Sequence, residues 1–347
     1  MPLALSILDQ SSIASGRDAA EAIRETLSLA QLADTLGYRR YWLAEHHNSL
    51  SHAGSAPEIL ISAIAATTRR IRIGSAGVML PHYAALKVAE QFRVLEAIAP
   101  GRIDLGVGRA PGSDGRTAYA LNPAAAQSGA DHFPAQVQDV LGWLGEGLPA
   151  NHPFQAVRAQ PEGPTRPELW VLGSSDYGAQ LAAYFGLPYG FAHFITDGQG
   201  AAEALSLYRR TFRSEAGRLP APHAAIAVVA LCAETEEEAA RLFSSRAIWK
   251  LSRDRGIYPA LPSPEEAANY PATPAERDKL SRMRQRAAIG TPEQVRAKLE
   301  AMAGELGVQE VAVLSPIHDP AARRRSVTLL AEAFGLSASA PAGQPLP

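Results

Sequence analysis

Arg40-Tyr41-Trp42-Leu43-Ala44 runs straight into Glu45-His46-His47-Asn48, so an apolar, strand-like run gives way to four polar side chains in consecutive positions. In parallel α/β proteins the catalytic groups project from the carboxyl ends of strands, because the sheet fixes the Cα positions while the loops leave side chains open to substrate. Working outward, Leu3 to Leu8 reads as a strand before a helical pattern from Asp18 to Gly37. Pro57 to Arg69 (helix), Ile71 to Gly77 (strand), Ala84 to Ala99 (helix) and Ile103 to Val107 (strand) follow. After a looser stretch come a strand at Leu169 to Leu172, a helix to Phe185, a strand at Tyr189 to Phe191, a helix near Ala201 to Ala216 and a strand around Val228. A helix from Pro292 to Leu306 and a strand from Val308 to Leu314 close the series.

Eight strands, nearly all followed by a helix, predict an α/β fold of the (β/α)8 TIM-barrel kind with every βα loop on one face. Gly37 fits a left-handed helix stop, and Thr291-Pro292-Glu293-Gln294 reads as an N-cap followed by an N1 proline. We expect one domain over residues 1–336. Residues 253–285, rich in proline, Arg and Glu, interrupt the alternation between the seventh and eighth βα units; a long insertion on a barrel predicts a lid, the alternative being a solvated excursion. Residues 337–347, made of Ser, Ala, Pro, Gly, Gln and Leu, predict a disordered tail.

Composition narrows the function. A net charge of −2 without a concentrated basic run argues against nucleic acid. Lysine occurs only at 87, 250, 279 and 298, so the basic chemistry belongs mostly to arginine. The only cysteine, Cys232, ends an apolar run and reads as a core thiol. No leader pattern and no long apolar span is visible, which predicts a cytoplasmic protein that does not enter the membrane.

Other strand ends carry chemistry too. Gly74-Ser75-Ala76-Gly77 is small enough for a flat ligand to approach the backbone, although close packing demands the same smallness. Gly108-Arg109 places a guanidinium at the mouth, suited to a phosphate, with a salt bridge to Asp104 or Asp114 as the alternative. Gly173-Ser174-Ser175 precedes a helix, whose first N–H groups and dipole favour an anion; simple capping is the alternative. No metal-ligand spacing and no Gly-x-Ser-x-Gly elbow emerges.

The chain resembles the bacterial luciferase-like flavin monooxygenase family. The likeness rests on Leu8-Asp9-Gln10-Ser11, Ala44-Glu45-His46-His47-Asn48, Gly74-Ser75-Ala76-Gly77-Val78-Met79-Leu80-Pro81, Ala99-Pro100-Gly101-Arg102-Ile103, Gly106-Val107-Gly108-Arg109, Leu172-Gly173-Ser174-Ser175 and Ile289-Gly290-Thr291-Pro292-Glu293-Gln294-Val295. The resemblance implies a barrel that binds FMN at its carboxyl face, forms a homodimer, and uses reduced FMN and O2 through a flavin C4a-peroxide to oxidise a small organic substrate. His46 matches the family's catalytic histidine. Ala76 and Gly77, beside Ser75, match the pair whose non-prolyl cis peptide lies beneath the flavin ring. Gly108, Arg109, Gly173, Ser174 and Ser175 match the cofactor and phosphate positions. Where luciferase subunits place a second phosphate-contacting arginine, this chain reads Asp131-His132-Phe133.

His46 is therefore expected to manage a proton, titrating near neutrality, with Glu45 or His47 orienting its ring. Without a dinucleotide fingerprint, reduced flavin is expected from a separate NAD(P)H-dependent flavin reductase. A deazaflavin (F420)-dependent hydride-transfer oxidoreductase and a non-catalytic flavin-binding protein are the alternatives.

Overall fold

The computed structural model describes residues 3–110, 112–124, 132–214 and 218–337. Its strands are β1 (Ala4–Asp9), β2 (Arg40–Leu43), β3 (Arg72–Met79), β4 (Ile103–Gly108), β5 (Glu168–Gly173), β6 (Tyr189–Phe191), β7 (Ala224–Cys232), β8 (Ala288–Gly290) and β9 (Glu310–Leu314). All pairings are parallel, and the ring runs β1 to β7, then β9, then back to β1. That is the closed eight-stranded barrel predicted. One strand was not foreseen: the three-residue β8 pairs only with the carboxyl end of β7, at Ala230 to Cys232, above the stretch of β7 that β9 occupies.

Helix limits follow local chemistry. The helix Ala19–Leu36 starts at an Asp18–Glu21 capping box and stops at Gly37, whose φ of 88° lies in the left-handed region. The main barrel helices lay apolar stripes on the outside of the barrel, giving a core that includes Leu29, Ile61, Ile64, Phe92 and Leu330. Cys232 is buried in it, and burial pushes its thiol up to about 12.

The barrel interior is layered. At the amino ends of the strands, Arg40 is fully buried and donates to Asp104 (2.7 Å), Glu168 (2.9 Å) and Glu310 (2.9 Å). Arg72 also reaches Asp104, and Ser6 donates to Glu310 at 2.6 Å. Above this ionic layer Trp42 and Trp170 meet edge to face at 5.0 Å, packed with Leu8, Ala225, Ala312 and Leu314. The bottom of the barrel is thus filled, and the chemistry is left to the carboxyl face.

The segment 253–285 holds two helices, Pro264–Ala268 and Pro274–Arg286. It also ties back across the mouth. Leu261 exchanges backbone hydrogen bonds with Ile13 and Ser15, and the Pro259 carbonyl accepts from Ser51 Oγ (2.8 Å) and Trp249 Nε1 (3.0 Å). The looser stretch after β4 carries the helices Gly115–Leu121 and Phe133–Leu141. Of the expected tail only Ser337 is described, and residues 338–347 lie outside the described residues, as does Asp131.

Candidate active site

Past the end of β2 the chain turns inward with Glu45, which is 1% exposed. Its carboxylate accepts from His47 Nε2 (2.7 Å), Tyr83 Oη (2.7 Å) and the Met79 N–H (3.1 Å), tying the β2 loop to the end of β3. A fully buried carboxylate is tolerable with three donors around it. Burial, then its bond to Glu45, pushes the Tyr83 phenol well up.

His46 points elsewhere. Its N–H donates to the Gly54 carbonyl at 2.9 Å, and its ring stacks on His52 at 4.4 Å and 19°. Nδ1 is sealed from solvent and has no hydrogen-bond partner among the described residues. Burial first, then the neighbouring His47, depresses the His46 pKa to about 4, and burial with His46 beside it depresses His52 to about 3. Two expectations are therefore corrected. Neither Glu45 nor His47 orients the His46 ring, because the Glu45 oxygens are occupied by His47, Tyr83 and Met79 while His52 supplies the stacking face. Nor does His46 titrate near neutrality, because an imidazolium shielded from water lacks the carboxylate that would hold it.

The small residues of β3 divide by direction. A Cβ on Gly74 would lie 2.4 Å from the Asp104 carbonyl, and one on Gly77 would lie 2.8 Å from that of Gly106, so their smallness lets β4 approach. Ser75 Oγ donates to the Gly106 carbonyl at 2.8 Å across the same contact. The Ala76-Gly77 peptide is cis, as the family resemblance implies. Space opens instead at Gly108 and Gly173. A Cβ on Gly108 would meet only Met79 Sδ at 3.9 Å, and one on Gly173 nothing nearer than 3.6 Å.

Arg109 borders this space. Its guanidinium lies 3.9 Å from the centre of the Tyr177 ring, and it is exposed. Neither proposed acid engages it. Asp104 sits at the other end of β4, held by Arg40 and Arg72, and Asp114 caps the helix Gly115–Leu121 and accepts from Asn48. Ser175 occupies the N-cap of the helix Asp176–Phe185, yet its side chain makes no capping bond, so the simple capping role is not filled. Ser174 is half-buried one residue earlier. An uncapped helix start, a free hydroxyl and a guanidinium held by an aromatic face fit a phosphate. His132, at the start of the helix Phe133–Leu141, is exposed.

The motif Leu8-Asp9-Gln10-Ser11 turns out to be structural. Asp9 accepts from the Ser11 N–H (2.9 Å), Tyr41 and Arg323 (2.8 Å), holding Ser11 at φ 48° and joining the first strand to the last helix. Sequence reasoning missed His52, Tyr83 and Trp249 as site residues. His52 sits in the polar run Ser49-Leu50-Ser51-His52 after β2, which was the available signal; Trp249, 197 positions later, offered none. Among the described residues no group of three or more His, Cys, Asp or Glu could hold a metal ion, and no helix is long and apolar enough to cross a membrane.

Known proteins agree with this architecture. The chain is 44% identical over 334 residues to the Bacillus subtilis protein YwcH, covering 96% of this chain and 99% of the relative. It is 38% identical over 331 residues to the N-acetyl-S-alkylcysteine monooxygenase of Bacillus subtilis, covering 95% and 97%. The crystal structure of apo-MsnO8 superposes with a TM-score of 0.86 at 38% identity, over 98% of this chain and 99% of that one. A family model described as luciferase-like monooxygenase matches residues 1–310, and the chain is an enzyme of the luciferase-like monooxygenase family.

Proposed function

We propose that the protein is an FMN-dependent monooxygenase that uses reduced FMN and O2 to oxidise a small organic substrate. The observation that carries this reading is the pairing, at one barrel mouth, of a phosphate-suited corner at Arg109 and Ser175 with a buried imidazole whose Nδ1 has no protein partner. Reduced FMN, when bound, supplies the electrons that activate O2. Arg109, Ser174, Ser175 and the first N–H groups of the following helix would hold its phosphate, and Ser75, Ala76, Gly77, Gly108 and Gly173 would line the area the rest occupies.

The remaining work belongs to the chain. His46, neutral because it is buried, keeps one ring nitrogen as donor and the other as acceptor, and Nδ1 is the atom left to hold or take a proton. Glu45 fixes His47, Tyr83 and Met79 so that the floor does not shift. The segment 253–285, anchored over the mouth through Pro259 and Leu261, works as a lid that excludes water. Two chains pair through the helices Pro57–Thr67 and Ala85–Ile98, where Ile59 (67%), Val94 (47%) and Ile98 (49%) lie exposed. A separate NAD(P)H-dependent reductase delivers the reduced flavin, and the enzyme works in the cytoplasm.

Stopped-flow absorbance tests the reading: protein is mixed with photoreduced FMN and then with O2. Reoxidation slower than that of free FMN is expected. The reading fails if the protein neither binds reduced FMN nor alters its oxidation rate; tight F420 binding with oxygen-independent turnover would replace it with the deazaflavin alternative.

A further inference from the structure

The helix Glu236–Arg253 carries Arg246, Lys250 and Arg253 at i, i+4 and i+7, on one face. Lys250 and Arg253 lie in the last turn, where cations suit the helix dipole, but Arg246 lies a full turn earlier. Arg246 is 4% exposed, its Nη1 is sealed from solvent without a hydrogen-bond partner, and it forms no ion pair among the described residues. Burial, then the charge of Arg253, lowers its pKa to about 10, so it remains a cation at neutral pH. A buried, unpaired guanidinium is costly to fold around.

The guanidinium borders a narrow cleft, open to solvent and with only about 20 Å³ of room for solvent-sized groups, between β7, the short turn after β6, this helix and the helix Pro274–Arg286. Lys250, Arg286 and the lone carboxylate Asp197 also line it, leaving an excess of positive charge, while Val228, Phe243 and Met283 supply apolar wall. Lys250 is held by Asp254 at 3.4 Å and Asp197 at 3.7 Å, and neither carboxylate forms an ion pair with Arg246. Arg246 is linked to the active site by side-chain contacts: it lies 5.0 Å from the centre of the Trp249 ring, Trp249 meets His52 edge-on at 5.5 Å, and His52 stacks on His46. Arg109 and Ser175 stand at the ends of β4 and β5, on strands that do not line the cleft.

We infer that Arg246, with Lys250 beside it, is the anchor for a carboxylate on the organic substrate, so that the enzyme acts on organic acids. The inference rests on the monooxygenase reading in that the anchored molecule is the one oxidised. A carboxylate is planar, accepts two parallel N–H bonds from a guanidinium and would supply the missing counter-charge. An apolar body attached to it lies along the Trp249 and His52 wall toward His46.

Intrinsic fluorescence of the protein's four tryptophans, compared with that of a Trp249→Phe variant to isolate the Trp249 signal, offers the measurement. The probes are 4-phenylbutanoate and its primary amide, neutral and nearly isosteric, titrated into the FMN-loaded and FMN-free protein. About tenfold tighter binding of the acid is expected, roughly the worth of one charge-assisted pair of hydrogen bonds. Arg246→Gln abolishes the preference while leaving FMN affinity unchanged; Arg109→Ala weakens FMN and keeps the preference. Equal affinities of acid and amide in the unaltered protein overturn the inference without needing any variant, as does a preference that survives Arg246→Gln. If Arg246→Gln weakens FMN instead, the anion is the flavin phosphate and the inference also falls. An acid preference in a protein that binds no FMN upholds the anchor and sinks the monooxygenase reading alone.

Discussion

His46 and His52 stack ring on ring in a pocket where burial outweighs the nearby Asp9 carboxylate, which acts on His52 alone. A histidine whose folded pKa lies below its unfolded value takes up a proton more readily when the chain is unfolded. The stability tied to it is therefore whole above about pH 6.5 and drains away as pH falls toward 4. Imidazole NMR is expected to show His46 neutral at pH 6, and a midpoint at or above 6.5 would refute the burial argument. In the monooxygenase reading, His46→Asn binds FMN as the parent does but loses roughly 10²- to 10⁴-fold in product formation, the usual worth of a positioned proton donor or acceptor. Equal product yield would remove His46 from the chemistry. The residue itself was legible in sequence, because an imidazole just past a strand end is conspicuous. Its surroundings were not, since His52 reaches it through a loop and Trp249 through a helix that starts almost two hundred residues later.

At the scale of elements, Pro264, Pro274 and Pro292 each open a helix behind a Ser or Thr N-cap, with Glu or Gln at N3 closing a capping box. The third was read from sequence and the first two were read as an interruption, although the three strings share one pattern. Apolar periodicity explains the difference: a helix of five residues and one dominated by Arg, Lys and Glu show no stripe to recognise. The three-residue β8 stayed hidden because the helix before it was not read, whereas the equally short β6 sat between two recognised helices. This segment is held by hydrogen bonds at Pro259 and Leu261, by Ser15 donating to Glu266, and by Ala267 and Met283 packed on the helix Glu236–Arg253. Trp249→Phe removes one of these hydrogen bonds, worth about 0.5–1.5 kcal/mol. Amide exchange at Leu261 and Ser15 should accelerate correspondingly, with the barrel strands unchanged; unaltered exchange there would show that the strap is held by packing alone.

At the scale of the whole molecule, eight apolar runs in strict alternation with helices made the ring legible, but not the ionic layer in its floor. Arg40, Asp104, Glu168 and Glu310 come from four strands scattered over most of the chain, each at the first or second position of its strand, where a charge reads as an ordinary strand boundary. Burial alone would raise the Asp104 and Glu310 pKa values; Arg40 with Arg72 at Asp104, and Arg40 with Arg39 and Ser6 at Glu310, together outweigh it and hold both below the usual range. Their contribution to stability is thus present above the ordinary carboxylate range and lost as pH falls below it. Arg40→Met strands these carboxylates and should cost about 3–5 kcal/mol, seen as a drop in Tm at pH 7 that narrows in acid. A Tm at pH 7 equal to that of the parent would mean the layer contributes nothing net.

A cylinder stoppered at its base by four charged groups and two indoles has a single doorway. Anything lodged within must come and go over one rim, beneath one strap. Whichever guest sits deeper is therefore obliged to arrive first and depart last, so the order of arrival is written into the architecture before any affinity is considered.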